Sequence, residues 1–423
     1  MRGAARTALA LLISAWALPA PAQETAQVLY AQKALICGVE GDETINRAAL
    51  VFRDGRIEAI GRRGEVEVPE GAVVHDLGAR WIMPGMIDLH SHIAGSGLND
   101  TVFQCNPGLR ASSNIIPHNP RMKLGMLAGV TTILFIPGSG SNIGGQGVLL
   151  KTGPGGYEDA LVRAPGSLKI AQGDNPKRWG YGMQRTLMNH HIRTTLRKGK
   201  AYAKRWEAYE RGEGERPERR LDLDIFRELE AKRTQISTHT QYYQVVLASL
   251  NILTGEFGYD AYIDHGSFDS WPLSWKAEEL GVAAILGPRE VLWPRLNTYP
   301  KDGRVEGSAW GFQKEGHPRI GFNTDAPVVP QEELPLQSAM GVRYGFDNTH
   351  FAAVRGVTIV PAEVAGIDHR VGSLAAGKDA DILVVTGDPS DPRHAVEVVW
   401  VEGEMVSDVR GERGEGREGV RQW

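Results

Sequence analysis

The 423-residue chain predicts an α/β fold: a (β/α)₈ TIM-like barrel beside a small β-sandwich built from both chain ends. Three observations lead there. Eight short apolar runs between residues 81 and 322 are separated by longer helical stretches, the rhythm of parallel strands joined by crossover helices. Both chain ends instead carry short β-like runs joined by turn residues, and each end is too short to bury a core alone. Apolar residues make up 42% and charged residues 23%, an ordinary globular usage that excludes wholesale disorder.

Taken in order, residues 1–22 read as a secretory signal. Arg2 and Arg6 precede the apolar stretch 8–18, and Ala20-Pro21-Ala22 supplies a small-residue cleavage site. A bilayer-spanning helix takes about 20 apolar residues, so this stretch is too short to anchor the protein. The mature chain is expected to begin near Gln23 and to act outside the cytoplasm, periplasmic or secreted, with no membrane span after cleavage. Residues 23–80 are the N-terminal part of the sandwich, where apolar runs at 48–52 and 57–60 flank an Asp54-Gly55 hairpin turn. The barrel is expected over 81–372, with apolar runs at 81–83, 129–136, 148–150, 168–170, 234–236, 261–263, 282–286 and 319–322. Its largest departure is a helical excursion over 175–232, in which Tyr202, Trp206 and Tyr209 fall on one helix face. The basic run 193–205 there reads as a solvated helix face. Residues 373–407 return the chain to the sandwich through runs at 382–385 and 396–401, and 408–423 read as a flexible, charged, glycine-rich tail.

Charge and cysteine usage exclude several function classes. Lys+Arg 47 against Asp+Glu 51 leaves a net charge of −4 and no basic field to hold nucleic acid. Two cysteines, Cys37 and Cys105, allow at most one bridge and cannot build a disulfide scaffold or a cysteine-rich zinc site. The expected partner is a small-molecule substrate, and a homo-oligomer stays open.

The residues that carry chemistry sit at the ends of the barrel runs. In Pro84-Gly85-Met86-Ile87-Asp88-Leu89-His90-Ser91-His92 the two histidines are two apart. On a strand they point to one face and can converge on one ion. Imidazole suits zinc and similar divalent metals, and barrel active sites lie at the C-terminal ends of strands. His239, His265 and Asp325 end three later runs in the same way. Taken singly each is equally a turn or capping residue; together they suggest a mixed His/Asp site. The glycine-rich loop 137–147 lacks the lysine spacing of a phosphate-cradling loop and reads as a tight loop at the barrel mouth.

With these motifs the chain resembles the amidohydrolase superfamily, particularly its exported imidazolonepropionase-like and dipeptidase-like members. The resemblance also rests on Ser141-Asn142-Ile143-Gly144-Gly145-Gln146-Gly147 and Gly173-Asp174-Asn175-Pro176-Lys177-Arg178. It closes on Gly372-Ser373-Leu374-Ala375-Ala376-Gly377-Lys378-Asp379-Ala380-Asp381-Ile382. It implies that His90, His92, His239, His265 and Asp325 hold one or two divalent ions, zinc or another, and that Asp325 is the general base. His265 alternatively contacts the substrate. Two-ion members use a carboxylated lysine or an acid as a bridge; Lys169 occupies the expected place, or is an ordinary lysine, and Asp174 is the second candidate. Relatives often follow the third histidine with Ala-x-Arg-Ala. Here Thr240-Gln241-Tyr242-Tyr243 stands instead, so Gln241 and Tyr242 offer neutral hydrogen bonds to substrate. The glutamate that superfamily deaminases place there is also missing. The implied activity is hydrolysis of a C–N bond in an amide, cyclic amide or small peptide-like substrate. Lactone or phosphotriester hydrolysis, or a non-catalytic binding protein of this fold, are the alternatives.

Overall fold

A computed structural model describes residues 25–38, 44–97, 99–116, 119–173, 175–178, 184–288 and 307–410. The signal stretch 1–22, Asp174 and residues 411–423 lie outside the described residues.

The N-terminal segment folds as β1 (Gln27–Leu35), β2 (Thr44–Arg53), β3 (Arg56–Arg62), β4 (Val73–Asp76) and β5 (Trp81–Pro84). Asp54 and Gly55 take φ of 48° and 74°, the left-handed pair that a tight turn between β2 and β3 demands. Circuit strands follow: β6 (Met86–Ser91), β7 (Val130–Phe135), β8 (Ile143–Lys151), β9 (Leu161–Ala171) and β10 (Gln235–His239). Next come β11 (Ile263–His265), β12 (Ala284–Leu286) and β13 (Ile320–Phe322). The chain closes with β14 (Ile382–Val385), β15 (Val396–Val401) and β16 (Glu404–Asp408).

Both chain ends share one eight-stranded sheet, ordered β16-β15-β14-β5-β1-β2-β3 with β4 on β1. The pleat explains how this sheet joins the rest of the molecule. On β14, Ile382 and Val384 enter a small core with Leu29, Leu50 and Trp400, while Leu383 and Val385 enter the main core with Met83 and Met86. The sheet is therefore buried on both faces at β14.

The remaining strands form a sheet ordered β10-β9-β8-β7-β6 and another ordered β11-β12-β13. Bridges Ile236–Ala261 and Thr240–His265 join β10 to β11, and the bridge Ser91–Ala326 carries the pairing from β13 back to β6. Two expectations about these runs need correction. The run at 81–83 is not a barrel strand; as β5 it pairs with β1 and β14. The run at 148–150 lies in β8, which is antiparallel to both β7 and β9, so the circuit is not uniformly parallel. The reason is connection length. A parallel return needs roughly a dozen residues, whereas seven residues join β7 to β8 and the β8–β9 link holds only the short helix Tyr157–Ala160.

In the excursion, the 26-residue helix Arg185–Glu210 buries Tyr202 and Trp206 while Tyr209, near its end, is exposed. Gly199 lets the helix settle on Phe226, whose ring would lie 2.2 Å from an added Cβ. On its outer face Arg193 and Arg197 pair with Glu256. At the C-terminus, β16 runs through Asp408, one residue into the stretch expected as tail. Cys37 and Cys105 are not joined by a disulfide.

Candidate metal centre

Seven strands of the circuit run in one direction, and their C-terminal ends bring the candidate residues together. His90 lies on β6 and His92 just beyond it. His239 and His265 are the last residues of β10 and β11, Asp325 follows β13, and Lys169 projects from β9. His265 and Asp325 adopt φ of 74° and 49°, conformations that cost free energy in non-glycine residues and occur where a side chain must be aimed.

The outer nitrogens of three imidazoles are committed. Nδ1 of His90 lies 2.6 Å from Oδ2 of Asp264, Nδ1 of His92 lies 2.8 Å from the Ile136 carbonyl, and Nδ1 of His265 lies 2.8 Å from the Gly287 carbonyl. A ring that donates from Nδ1 carries its lone pair on Nε2. Those Nε2 atoms face inward: His90 and His92 approach to 3.2 Å, and His265 lies 2.9 Å from Nδ1 of His239. Asp325 completes the cluster, with Oδ1 3.3 Å from Nε2 of both His90 and His92 and Oδ2 3.9 Å from His265. Lys169 Nζ is 3.2 Å from His90 Nε2.

Electrostatics keep the cluster in a ligand-ready form. Burial, reinforced by nearby positive charge, pulls the basicity of His90 well below normal and that of His265 down to about 4, so both rings are neutral near pH 7. Burial pushes the Asp325 carboxyl upward, but His265, His92 and His239 outweigh it and hold the group below its ordinary value. Burial also draws the Lys169 ammonium down to about 8, against the pull of Asp264 and Asp325. Imidazole nitrogens and one carboxylate, their ligand atoms within 4.8 Å of one another in the sets His90/His239/His265 and His90/His92/Asp325, are a fitting donor set for a divalent cation. Without a cation the inward lone pairs would repel one another.

Sequence reasoning missed the layer behind these residues. Asp264 is fully buried behind His90 and also accepts from Asn323 Nδ2 at 3.1 Å. Asp88 is fully buried as well and accepts from the His90 backbone N–H, from Thr324 Oγ1 and N–H, and from Gln331 Nε2. Burial pushes its carboxyl up to about 6 despite these bonds. A signal existed: an acid inside the apolar runs Ile87-Asp88-Leu89 and Ile263-Asp264 is costly to bury unless it has a task. Of the candidate substrate contacts, Gln241 is half-buried. Tyr242 stacks on Phe268 with centroids 5.0 Å apart, and the Arg185 guanidinium sits 5.7 Å from the Tyr242 ring.

Known proteins resemble the chain in sequence and fold. Residues 319–407 match the family model described as Amidohydrolase family. Amidohydrolase tasK of Hapsidospora irregularis is 27% identical over 87% of this chain, which spans 40% of that protein's length. Imidazolonepropionase of Sphingopyxis alaskensis is 22% identical over 85% of this chain and 92% of its own. The crystal structure of an amidohydrolase from Thermotoga maritima MSB8 superposes with a TM-score of 0.78 at 26% identity, covering 90% of this chain and all of the other. A prolidase complexed with N-methylphosphonate-L-proline shares the fold, with a TM-score of 0.56 at 18% identity over 91% of this chain and all of its own.

Proposed function

We propose that this chain, which belongs to the amidohydrolase family, is a metal-dependent hydrolase that cleaves a C–N bond in an amide, cyclic amide or small peptide-like substrate. The observation that carries this reading is the convergence of three inward Nε2 lone pairs and an ionised carboxylate at one rim of the strand circuit. The circuit, with β8 reversed, is read as the family's barrel, and the shared sheet as the sandwich beside it. Residues 1–22 are read as a signal that sends the protein to the periplasm or medium.

His90, His92, His239, His265 and Asp325 would hold the ion or ions, and nitrogen and oxygen donors of this kind suit zinc. A divalent cation supplies Lewis acidity there, lowering the pKa of a water from 15.7 to about 7 and polarising a carbonyl oxygen. Asp325, ionised and beside three imidazoles, takes the proton from the attacking water and returns it to the leaving nitrogen, a role worth about 10²–10⁴-fold. Asp264 and the Ile136 and Gly287 carbonyls fix the three rings in the tautomer that turns Nε2 inward. Lys169, with its amine 3.2 Å from His90 and largely desolvated, would add to carbon dioxide with loss of a proton, and the resulting carbamate would supply an oxygen to the donor set.

Chelation should abolish activity and zinc should restore it; turnover indifferent to both overturns the metal mechanism. A panel of cyclic amides, dipeptides, lactones and phosphotriesters tests the bond. Turnover of esters alone would reject the C–N assignment.

A further inference from the structure

At the end of the strand circuit opposite the histidines lies a cavity of about 540 Å³. Its walls come from the N-terminal ends of β10, β12 and β13, from Arg163 on β9, and from the helix Ile359–Ala365 and Gly366 after it. Four cations line it, Arg163, Lys232, Arg233 and Arg319, against two carboxylates, Asp260 and Glu363. Lys232 is neutralised by Asp260 at 2.5 Å, and Arg233 by Glu228 at 2.7 Å. Arg163 and Arg319 meet only neutral acceptors among the described residues. Arg163 donates from Nη2 to the Gly166 carbonyl at 3.0 Å and to Gln235 Oε1 at 2.7 Å, and Arg319 donates to the Gly281 carbonyl.

Behind the cavity wall lie two more polar N–H groups without acceptors. Gln235 is 4% exposed, and its Nε2 is buried without a partner; so is Nε of Arg163. Arg163 Nη1 lies against the cavity-lining Gly366, 3.7 Å from where a Cβ would stand. A half-buried guanidinium without a counter-ion is costly, and burial already draws its pKa down. Glu363, the other lining carboxylate, is exposed, and with Asp368 it opposes the burial that lowers the pKa of Lys378. What the cavity lacks is a compact acceptor with negative charge.

We propose that this cavity binds a small oxyanion, a carboxylate or phosphate, between the guanidiniums of Arg163 and Arg319. Nη2 of Arg163 already serves two acceptors, so its Nη1 and the guanidinium of Arg319 are the charged donors such a group would accept from. Glu363 opposes the ligand by like-charge repulsion. The site is separate from the histidine cluster: Gln235 and His239 are the two ends of β10, about 13 Å apart at strand rise.

The test is titration of the full chain with inorganic phosphate and with succinate, by calorimetry and thermal melting, at constant ionic strength set with chloride. It is run on zinc-loaded and on chelator-treated protein. Saturable binding and a raised Tm are expected in both forms, so the outcome is independent of whether the metal mechanism holds. Arg319→Gln should weaken binding roughly ten- to a hundredfold, the loss expected for one charged hydrogen-bonding partner, and Glu363→Gln should tighten it. Arg163→Gln should weaken it too, but Arg163 also ties Gly166 to Gln235, so the other two variants are the decisive ones. Binding of neither anion overturns the proposal. So does affinity unchanged in Arg319→Gln and Glu363→Gln, a Tm that follows chloride equally, or binding that vanishes on chelation because the anion sits on the metal.

Discussion

Asp264 and Asp325 approach His90 at its two ring nitrogens, Nδ1 and Nε2, and asparagine at each position separates their tasks. Asp325→Asn keeps the shape but removes the proton acceptor. Turnover is expected to fall about 10²–10⁴-fold, measured at equal metal content; unchanged turnover would mean that Asp325 is not the base. Asp264→Asn leaves the inward-facing donors in place and weakens the acceptor of His90 Nδ1, along with the bond from Asn323 Nδ2. Metal affinity is expected to drop about 10–100-fold, read by competition with a chelator, while turnover at saturating metal stays closer to the parent's. The two residues also differ in how legible they are. Asp325 announces itself by ending an apolar run, as His90, His239 and His265 do. Asp264 hides beside His265 in a three-residue strand, where only the oddity of an acid among buried apolar neighbours marks it. Its partnership with His90 spans 174 positions and arises only when β6 and β11 face each other across the circuit.

Elements pair by rules that sequence carries unevenly. The β2–β3 hairpin is readable because Asp54-Gly55 dictates its own turn, and β14 and β15 because of their unbroken apolar runs. Partner choice is not readable in this way: β5 and β8 are as apolar as their neighbours, and only connection length and distant partners decide their places. What fastens β8 to the terminal sheet is ionic. Lys151, at its end, is 1% exposed and lies 3.0 Å from Asp379 and 2.6 Å from Asp381, just ahead of β14, while Arg370 meets Asp379 at 2.9 Å. Lys151→Met would leave buried Asp381 without its cation and Asp379 with only Arg370 and Arg56, and is expected to cost about 3–5 kcal/mol in denaturant unfolding. The pH dependence has a defined sign. Burial raises Asp379, but Lys151 and Arg370 outweigh it and leave its pKa below the reference 3.8. An acid depressed in the folded state contributes stability above its unfolded pKa and loses that contribution as pH falls through the folded value. Unfolding midpoints followed from about pH 6 to about pH 2 should therefore fall less steeply in Asp379→Asn than in the parent. Equal slopes would mean that Asp379 is not held in this cluster.

Over the whole molecule, the two ends of the strand circuit are two places where a ligand can bind the folded chain and not the unfolded one. The proposed metal ligands come from β6, β10, β11 and the segment after β13, so no short stretch of unfolded chain assembles them. A ligand of this kind raises stability by RT ln(1 + [L]/Kd), about 4 kcal/mol at a thousandfold excess over Kd. Zinc should accordingly raise Tm of the chelated protein, and His239→Ala should remove most of that increment. Phosphate should add its own increment from the opposite end. Sites more than about 7–10 Å apart with no shared partner are additive to within about 0.5 kcal/mol, and β10 alone separates Gln235 from His239 by more than that. Melting of the apo, zinc, phosphate and doubly liganded forms closes a thermodynamic cycle. Increments that sum mean that the strands transmit nothing between the ends. A clear excess or deficit would make β10, which carries the proposed metal ligand His239 at one end and the cavity-lining Gln235 at the other, the element that couples them.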